Sequence, residues 1–165
     1  MEKWEQRVSM TVFAPLELGA DDRDLLARAH SAAAGAYAPY SGFQVGAAVL
    51  LEGGDCIPGC NQENAAFPSG LCAERAAVFA AGSVHPGTAI RALAVVTPSE
   101  KADLRGFSPC GGCRQVLWEA EQRQDRPIRM LLQVGTGDVC VVEGVENYLP
   151  FAFRASGLGK GGPMP

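Results

Sequence analysis

The chain has 165 residues, a formal net charge of −4 and 47% hydrophobic residues. This length and composition fit a single globular domain with one core and exclude a disordered chain. The acidic balance argues against a nucleic-acid partner, because a long DNA or RNA footprint needs a basic face.

The six cysteines are the most informative count in the composition. Six cysteines in a short secreted chain would suggest a disulfide framework. However, residues 1–10 contain no apolar run after a basic start, and no stretch approaches the roughly 18 consecutive apolar residues of a membrane span. We therefore expect a cytoplasmic protein with no membrane partner, in which clustered cysteines bind metal or do chemistry.

The domain organisation follows from where the periodic pattern begins and ends. Residues 1–20 have no clean period, and we predict an N-terminal arm that is either mobile or packed as an extra segment. Residues 21–156 form the predicted domain, without an internal repeat or a linker. The glycine-rich residues 157–165 are predicted to be a flexible tail.

The elements predicted for this domain alternate between helix and strand. In chain order they are a helix from Asp21 or Asp22 to about Tyr37, strands over 43–51 and 56–60, a helix over 72–81 ending at Gly82, a strand over 90–97, a helix over 112–122, and strands over 128–134 and 139–143. Pro58 indicates a strand at an edge or with a bulge. The continuous apolar run over 90–97 is typical of a strand buried on both faces. This order predicts an α/β fold, with a mixed sheet covered by helices.

Two short segments carry residue types with distinctive chemistry. The first is Cys72-Ala73-Glu74, and the second contains Cys110 and Cys113 as a Cys-x-x-Cys pair after a proline. Such a pair puts two sulfurs on one side of the first turn of a helix, where they can hold a tetrahedral Zn²⁺. With Cys72 as a third thiolate, a fourth position stays open for water, as in catalytic zinc sites.

The predicted site is completed by Glu74 and Arg75, which follow Cys72 closely in the sequence. Glu74 is too close in sequence to be a comfortable fourth ligand, but it is well placed to shuttle a proton. A cysteine, one residue, a glutamate and a later Pro-Cys-x-x-Cys match the signature of zinc deaminases. Both segments fall at predicted helix starts, where partial positive charge favours thiolates. We expect Arg75 to offset further thiolate charge by donating to a sulfur.

Other interpretations of the cysteines are less consistent with their spacing. Redox pairs and structural zinc sites also contain Cys-x-x-Cys, but a structural zinc ribbon usually has two such pairs. Cys72 has no Cys-x-x partner, which favours the catalytic zinc site. The remaining cysteines lie in strand patterns and are predicted to be packing residues: Cys56, Cys60 and Cys140.

Longer motifs extend across most of the chain, from about residue 36 to residue 153. They are Tyr40–Ala48, Asn61–Ala65, Gly70–Arg75, Ser108–Val116 and Leu149–Phe153. Together they resemble the small cytidine deaminases of the homotetrameric, three-cysteine type. This resemblance implies a three-layer α/β/α sandwich around a mixed five-stranded sheet, one Zn²⁺ per subunit and a homotetramer.

The resemblance also implies a role for each matched residue. It makes Cys72, Cys110 and Cys113 the zinc ligands and Glu74 the proton shuttle. The implied substrate contacts are hydrogen bonds from Asn61 and Glu63 to the ribose 3′-hydroxyl, packing of Phe43 against the pyrimidine, backbone contacts from Ala73 to the base, and Phe153 supplied by a neighbouring subunit.

The implied reaction is hydrolytic deamination of cytidine and 2′-deoxycytidine, with release of ammonia, in pyrimidine salvage. Three alternatives are a deaminase of another aminopyrimidine nucleoside, such as a blasticidin-type antibiotic, an enzyme that edits cytosine in a polynucleotide, and a non-catalytic zinc-binding protein. The acidic charge and the lack of a basic-aromatic stretch disfavour the polynucleotide. Glu74 beside the predicted ligands disfavours the non-catalytic protein, because a closed structural site has no use for a proton shuttle.

Overall fold

The computed structural model describes residues 1–154, and this part of the chain contains six strands and three α-helices. In chain order these are β1 (Thr11–Phe13), α1 (Ala20–Ala33), β2 (Gly46–Leu51), β3 (Cys56–Cys60), α2 (Ala73–Val84), β4 (Ile90–Thr97), α3 (Gly111–Gln124), β5 (Arg129–Val134) and β6 (Val139–Glu143). The predicted tail over 157–165 lies outside the described residues. No helix in residues 1–154 is both long and apolar enough to span a membrane.

All six strands form one mixed sheet in the order β1-β6-β5-β4-β2-β3. Strands β4 and β5 are parallel, and every other neighbouring pair is antiparallel. Strand β3, which contains Pro58, lies at an edge, as its proline indicated, because an edge strand can lose a backbone donor on its free side. Strand β4 lies inside the sheet and is buried on both faces, which confirms the expectation from its apolar run.

The sixth strand corrects the predicted count of five. Thr11–Phe13 of the N-terminal arm pairs antiparallel with Val139–Val141 of β6. A three-residue strand after an irregular segment has too little pattern to be recognised from sequence, because its pairing partner lies at the other end of the chain. The predicted division into an arm over 1–20 and a domain over 21–156 stays a prediction.

Helices cover both faces of the sheet, which confirms the three-layer α/β/α sandwich. On one face, Leu25, Leu26 and Ala29 of α1 pack with the buried side chains of the sheet's central strands. On the other face, α2 and α3 pack together over the sheet, with Ala77 and Leu117 in the same core cluster. Both cysteine segments start helices of this second face.

Two glycines allow the helices to approach the sheet closely. A Cβ at Gly46 would lie 2.5 Å from the backbone nitrogen of Ala33 in α1. A Cβ at Gly59 would lie 2.5 Å from the nitrogen of Ala77 and 2.7 Å from the carbonyl oxygen of Ala73. The backbones of α1 and α2 therefore rest directly on the sheet, and Gly59 sets the depth of the first turn of α2.

Helix boundaries differ from the predicted ones where long-range contacts intervene. Helix α1 ends before Tyr37, because the Tyr37 backbone instead pairs with Asn61 and Glu63 at 3.0 and 2.8 Å. Helix α2 continues through Gly82 to Val84, and a Cβ at Gly82 would meet no other atom within 4 Å. A local pattern thus indicated the presence of each helix but not where it ends.

We predict that Gly46→Ala and Gly59→Ala each lower the free energy of unfolding by about 1–3 kcal/mol, because the new methyl group must push a helix backbone away from the sheet. Chemical denaturation monitored by circular dichroism measures the change. Gly82→Ala is the matched control, and it should instead stabilise the chain by about 0.5–1 kcal/mol through helix propensity. Equal stability of all three variants would contradict the close approach.

Candidate active site

Three cysteine sulfurs converge where α2 and α3 begin. Cys72 is the residue that caps α2, Cys110 caps α3, and Cys113 lies in the first turn of α3. Their Sγ atoms all lie within 4.8 Å of one another, and those of Cys110 and Cys113 are 3.5 Å apart. The three side chains predicted as metal ligands are therefore brought together from two separate segments.

The donor set fits zinc. Thiolate sulfur is a preferred zinc ligand in proteins, and three protein ligands are the usual number in a catalytic site. All three cysteines are free, and a separation of 3.5 Å is far longer than the roughly 2.05 Å of a disulfide bond. Cys113 is fully buried while Cys110 is exposed, so the cluster reaches from the core to the surface of a cavity.

Glu74 follows Cys72 in the first turn of α2 and is only 5% exposed. Burial raises the pKa of its carboxyl group to about 6, and the charge of Cys72 adds to this effect. The hydrogen bond to Cys113 lowers the pKa of the Cys72 thiol, and Arg75 lowers it further. A carboxyl group that holds its proton more tightly than usual thus lies beside a thiol that releases its proton easily.

Arg75 supplies a positive charge next to this cluster. Its Nη2 lies 3.8 Å from the Sγ of Cys72 and 3.5 Å from the carbonyl oxygen of Gly70. Its buried Nε has no hydrogen-bond partner among the described residues. The guanidinium is therefore directed at the sulfur cluster, and its expected effect on the thiolate charge stays a prediction.

The cluster lies in a cavity of about 600 Å³. Cys72, Ala73, Glu74 and Cys110 line one part of it, and Cys113 lies behind them in the core. The predicted substrate contacts Phe43, Asn61 and Glu63 line the cavity too. The structure thus places all the predicted site residues except Arg75, Cys113 and Phe153 on its wall.

Asn61 and Glu63 also hold the wall of this cavity in place. Asn61 accepts a hydrogen bond from the Val45 nitrogen at 2.8 Å and donates one to the Phe43 carbonyl oxygen at 3.0 Å. Glu63 accepts bonds from the backbone nitrogens of Tyr40 and Ser41 at 2.9 and 3.2 Å and from the Ser41 hydroxyl. The Ser41 hydroxyl and these amides lower the pKa of Glu63, which favours a charged carboxylate at the cavity.

Phe107 is a member of the cavity wall that the sequence did not reveal. Its ring lies 6.4 Å from that of Phe43, centroid to centroid, with an angle of 56° between the planes, a favourable tilted arrangement. Phe107 comes three residues before Cys110, in a loop without periodicity. Its closeness to the metal segment was the only available signal, and it did not distinguish this ring from an ordinary core residue.

Phe153 lies outside the cavity of its own chain. Its side chain is 64% exposed, and it belongs instead to a surface groove formed with Trp4–Gln6 of the arm. Phe153 is therefore too far from the cavity of its own chain to line it, and it does not contact a substrate bound there. The expected contribution to a neighbouring subunit stays a prediction.

Comparisons with known proteins agree with this geometry. The family model for the cytidine and deoxycytidylate deaminase zinc-binding region matches residues 20–125. The chain is 40% identical over 138 residues to a cytidine deaminase of Halalkalibacterium halodurans, which covers 84% of this chain and 98% of the relative. A cytidine deaminase of Mycobacterium tuberculosis is 45% identical over 108 residues, or 64% of this chain and 77% of the relative.

Solved structures show the same similarity in three dimensions. The crystal structure of cytidine deaminase from Burkholderia pseudomallei superposes with a TM-score of 0.68 at 39% identity, over 79% of this chain and 97% of that chain. The cytidine deaminase of Mycobacterium tuberculosis gives a TM-score of 0.62 at 38% identity, over 82% and 99%. The chain therefore belongs to the cytidine and deoxycytidylate deaminase family, which is characterised by a zinc-binding region.

Proposed function

We propose that this chain is a zinc-dependent hydrolase that deaminates cytidine and 2′-deoxycytidine to uridine and 2′-deoxyuridine, in pyrimidine salvage. The observation that carries the proposal is a buried carboxyl group, that of Glu74, beside three convergent cysteine sulfurs in one cavity. Membership of the deaminase family supports the same reaction.

In this proposal Cys72, Cys110 and Cys113 hold one zinc ion. When bound there, zinc supplies the Lewis acidity that makes water a nucleophile near neutral pH. The chain compensates the negative charge of three thiolates in two ways. The N-termini of α2 and α3 direct partial positive charge at the sulfurs, and Arg75 approaches Cys72.

Glu74 moves the protons in this proposal. Its carboxylate takes a proton from the attacking water and gives it to N3 of the pyrimidine ring, while the water oxygen bonds to C4. Glu74 then takes the remaining proton from the new C4 hydroxyl and gives it to the amino group, so that the C4–N bond breaks, the C4 carbonyl forms and ammonia leaves. A pKa raised to about 6 by burial suits this double role, because the group can both accept and donate near neutral pH.

The remaining wall of the cavity orients the nucleoside. The tilted pair of Phe43 and Phe107 offers an apolar surface for the base, and Ala73 offers backbone contacts near the reacting end. Asn61 and Glu63 provide an amide and a carboxylate for the ribose 3′-hydroxyl, which can both donate and accept. Their hydrogen bonds to the 40–45 segment fix Phe43 and the ribose-binding groups as one unit.

The charge of the cavity favours a nucleoside over a nucleotide. No lysine or arginine appears among the cavity-lining residues of the described chain, whereas Glu63, Glu74 and Asp103 do. A 5′-phosphate would therefore enter an acidic cavity without a cationic partner. This distinction matters because the family model covers both cytidine and deoxycytidylate deaminases.

We further propose that the chain acts as a cytoplasmic homotetramer in which Phe153 of one subunit reaches the site of a neighbour. Several large apolar side chains are exposed to solvent in the single chain. Phe67 is 90% exposed and Phe151 is 76% exposed. Burial of such rings between subunits is a usual reason for their exposure on one chain. Phe153 is 64% exposed and does not line the cavity of its own chain, which supports a contact with a neighbour's cavity.

We predict that Glu74→Gln lowers kcat for cytidine by about 10²- to 10⁴-fold, because the amide cannot carry the proton. Zinc content should stay unchanged, since the three sulfurs remain. Turnover is followed by the ultraviolet change of cytidine and zinc by elemental analysis. Glu119→Gln, a partly exposed site on α3, is the control that should keep wild-type activity. Near-normal turnover of Glu74→Gln would contradict the assigned role.

We predict that Arg75→Gln weakens zinc affinity by about 10- to 100-fold, the usual effect of losing a partner of a metal ligand. Competition with a chelator measures this affinity. Cys110→Ala is the reference for complete loss of the site, and Arg123→Gln, an exposed arginine on α3, should behave like the wild type. Unchanged zinc retention and turnover in Arg75→Gln would show that Arg75 does not stabilise the thiolates.

We predict that kcat/KM for deoxycytidine 5′-monophosphate is about 100-fold or more below that for 2′-deoxycytidine, because a phosphate dianion would meet only acidic groups. Asp103→Asn should narrow this difference by removing one of those charges. Equal turnover of nucleoside and nucleotide would contradict the electrostatic argument without affecting the deaminase chemistry.

A further inference from the structure

The side chain of Gln115 holds both polar backbone groups of Phe153. Its Oε1 accepts a hydrogen bond from the Phe153 nitrogen at 3.1 Å, and its Nε2 donates one to the Phe153 carbonyl oxygen at 2.9 Å. The amide thus mimics the pairing of a neighbouring strand. In residues 1–154, the Phe153 backbone makes no other hydrogen bond, so this side chain determines how Phe153 is presented.

Helix α3 fixes the same C-terminal segment on either side of Phe153. Arg114 donates to the Tyr148 carbonyl oxygen at 3.0 Å, and its guanidinium lies 5.5 Å from the centre of the Tyr148 ring. Beyond Phe153, the guanidinium of Arg154 lies 5.1 Å from the centre of the Trp118 ring. The segment 148–154 therefore follows the outer side of α3 and is held at three points.

The consequence is an exposed aromatic ring at the surface, beside Trp4–Gln6 of the arm and outside the cavity of its own chain. Phe153 is 64% exposed although its backbone is clamped, and it does not line the cavity beside Glu74. A clamped backbone with an exposed ring favours docking on another surface, because the backbone has little conformational entropy left to lose.

We propose that Gln115 is a positioning residue for the active site of the neighbouring subunit, through Phe153 of its own chain. The proposal rests on the proposed function, in which that neighbour's site receives Phe153. Arg114 cannot serve as the test, because it also bonds the Pro109 carbonyl oxygen and the Ser108 hydroxyl, both at 2.7 Å, next to Cys110. Gln115 makes side-chain hydrogen bonds only to Phe153 within the described chain.

The first test is Gln115→Met, which keeps the length of the side chain and removes both hydrogen bonds. We expect KM for cytidine to rise by about tenfold, the loss that corresponds to one aromatic contact, with zinc content and kcat close to wild type. Gln122→Met is the matched control, an exposed glutamine of the same helix without a side-chain hydrogen bond in the described chain, and it should leave KM unchanged. An unchanged KM in Gln115→Met overturns the proposal.

Subunit mixing then tests whether the effect acts on the neighbour. Gln115→Met subunits retain Glu74, whereas Glu74→Gln subunits retain a clamped Phe153. Exchange with an excess of Glu74→Gln subunits should return the KM of the Gln115→Met sites to the wild-type value. A KM that stays high after exchange, or a wild-type chain that is monomeric at assay concentration, overturns the proposal. Failure of the wild type to deaminate cytidine would instead overturn the proposed function.

A double-mutant cycle keeps the proposal testable if Gln115→Met also perturbs folding. Phe153→Ala removes the ring without altering α3 and should raise KM by the same factor. If Gln115 acts through that ring, the double variant should be no worse than Phe153→Ala alone. Additive losses in KM, or full activity of Phe153→Ala, would show that Gln115 does not act through Phe153.

Discussion

The candidate active site forms because the N-termini of α2 and α3 lie side by side, and much of the fold holds them in this position. Helix α2 leads into β4 and helix α3 leaves it, and both cover the same face of the sheet. Cys72 and Cys110 consequently begin helices that start at the same place. The close approach at Gly59 seats the first turn of α2 on the sheet, so the sulfur of Cys72 reaches the other two. A methyl group added at Gly59 would push α2 from the sheet and move the sulfur of Cys72, a proposed metal ligand.

The charges at this meeting point explain the residues around it. Thiolates and a carboxylate repel one another when they are withdrawn from water, and burial alone makes the ionised forms costly. The hydrogen bond to Cys113 and the contact with Arg75 favour the ionised form of Cys72, while burial favours the protonated form of Glu74. The same environment thus lowers the pKa of Cys72 and raises the pKa of Glu74. In the proposed function, that difference lets Cys72 hold the metal while Glu74 exchanges protons.

Helix α3 contributes residues both to the sulfur cluster and to the contact with Phe153, on different sides of the helix. Residues two apart on an α-helix point to different sides, so Cys113 and Gln115 cannot face the same neighbour. Cys113 points into the core toward the other sulfurs, and Gln115 lies on the outer side against Phe153. Arg114, between them, touches both the metal segment and Tyr148. Arg114 therefore links the C-terminal segment to the helix that carries two of the three proposed metal ligands.

The sequence by itself determined the α/β class, the position of most elements and the chemical core of the site. Periodicity and turn residues are local, so β4 and the edge strand with Pro58 could be predicted, and ligand spacing is local enough to single out Cys110 and Glu74. Only the tertiary structure decided the pairing of Thr11–Phe13, the aromatic partner Phe107 and the clamp by Gln115. Each of these depends on contacts between segments far apart in the chain, and no local pattern records which distant backbone or ring a residue will meet.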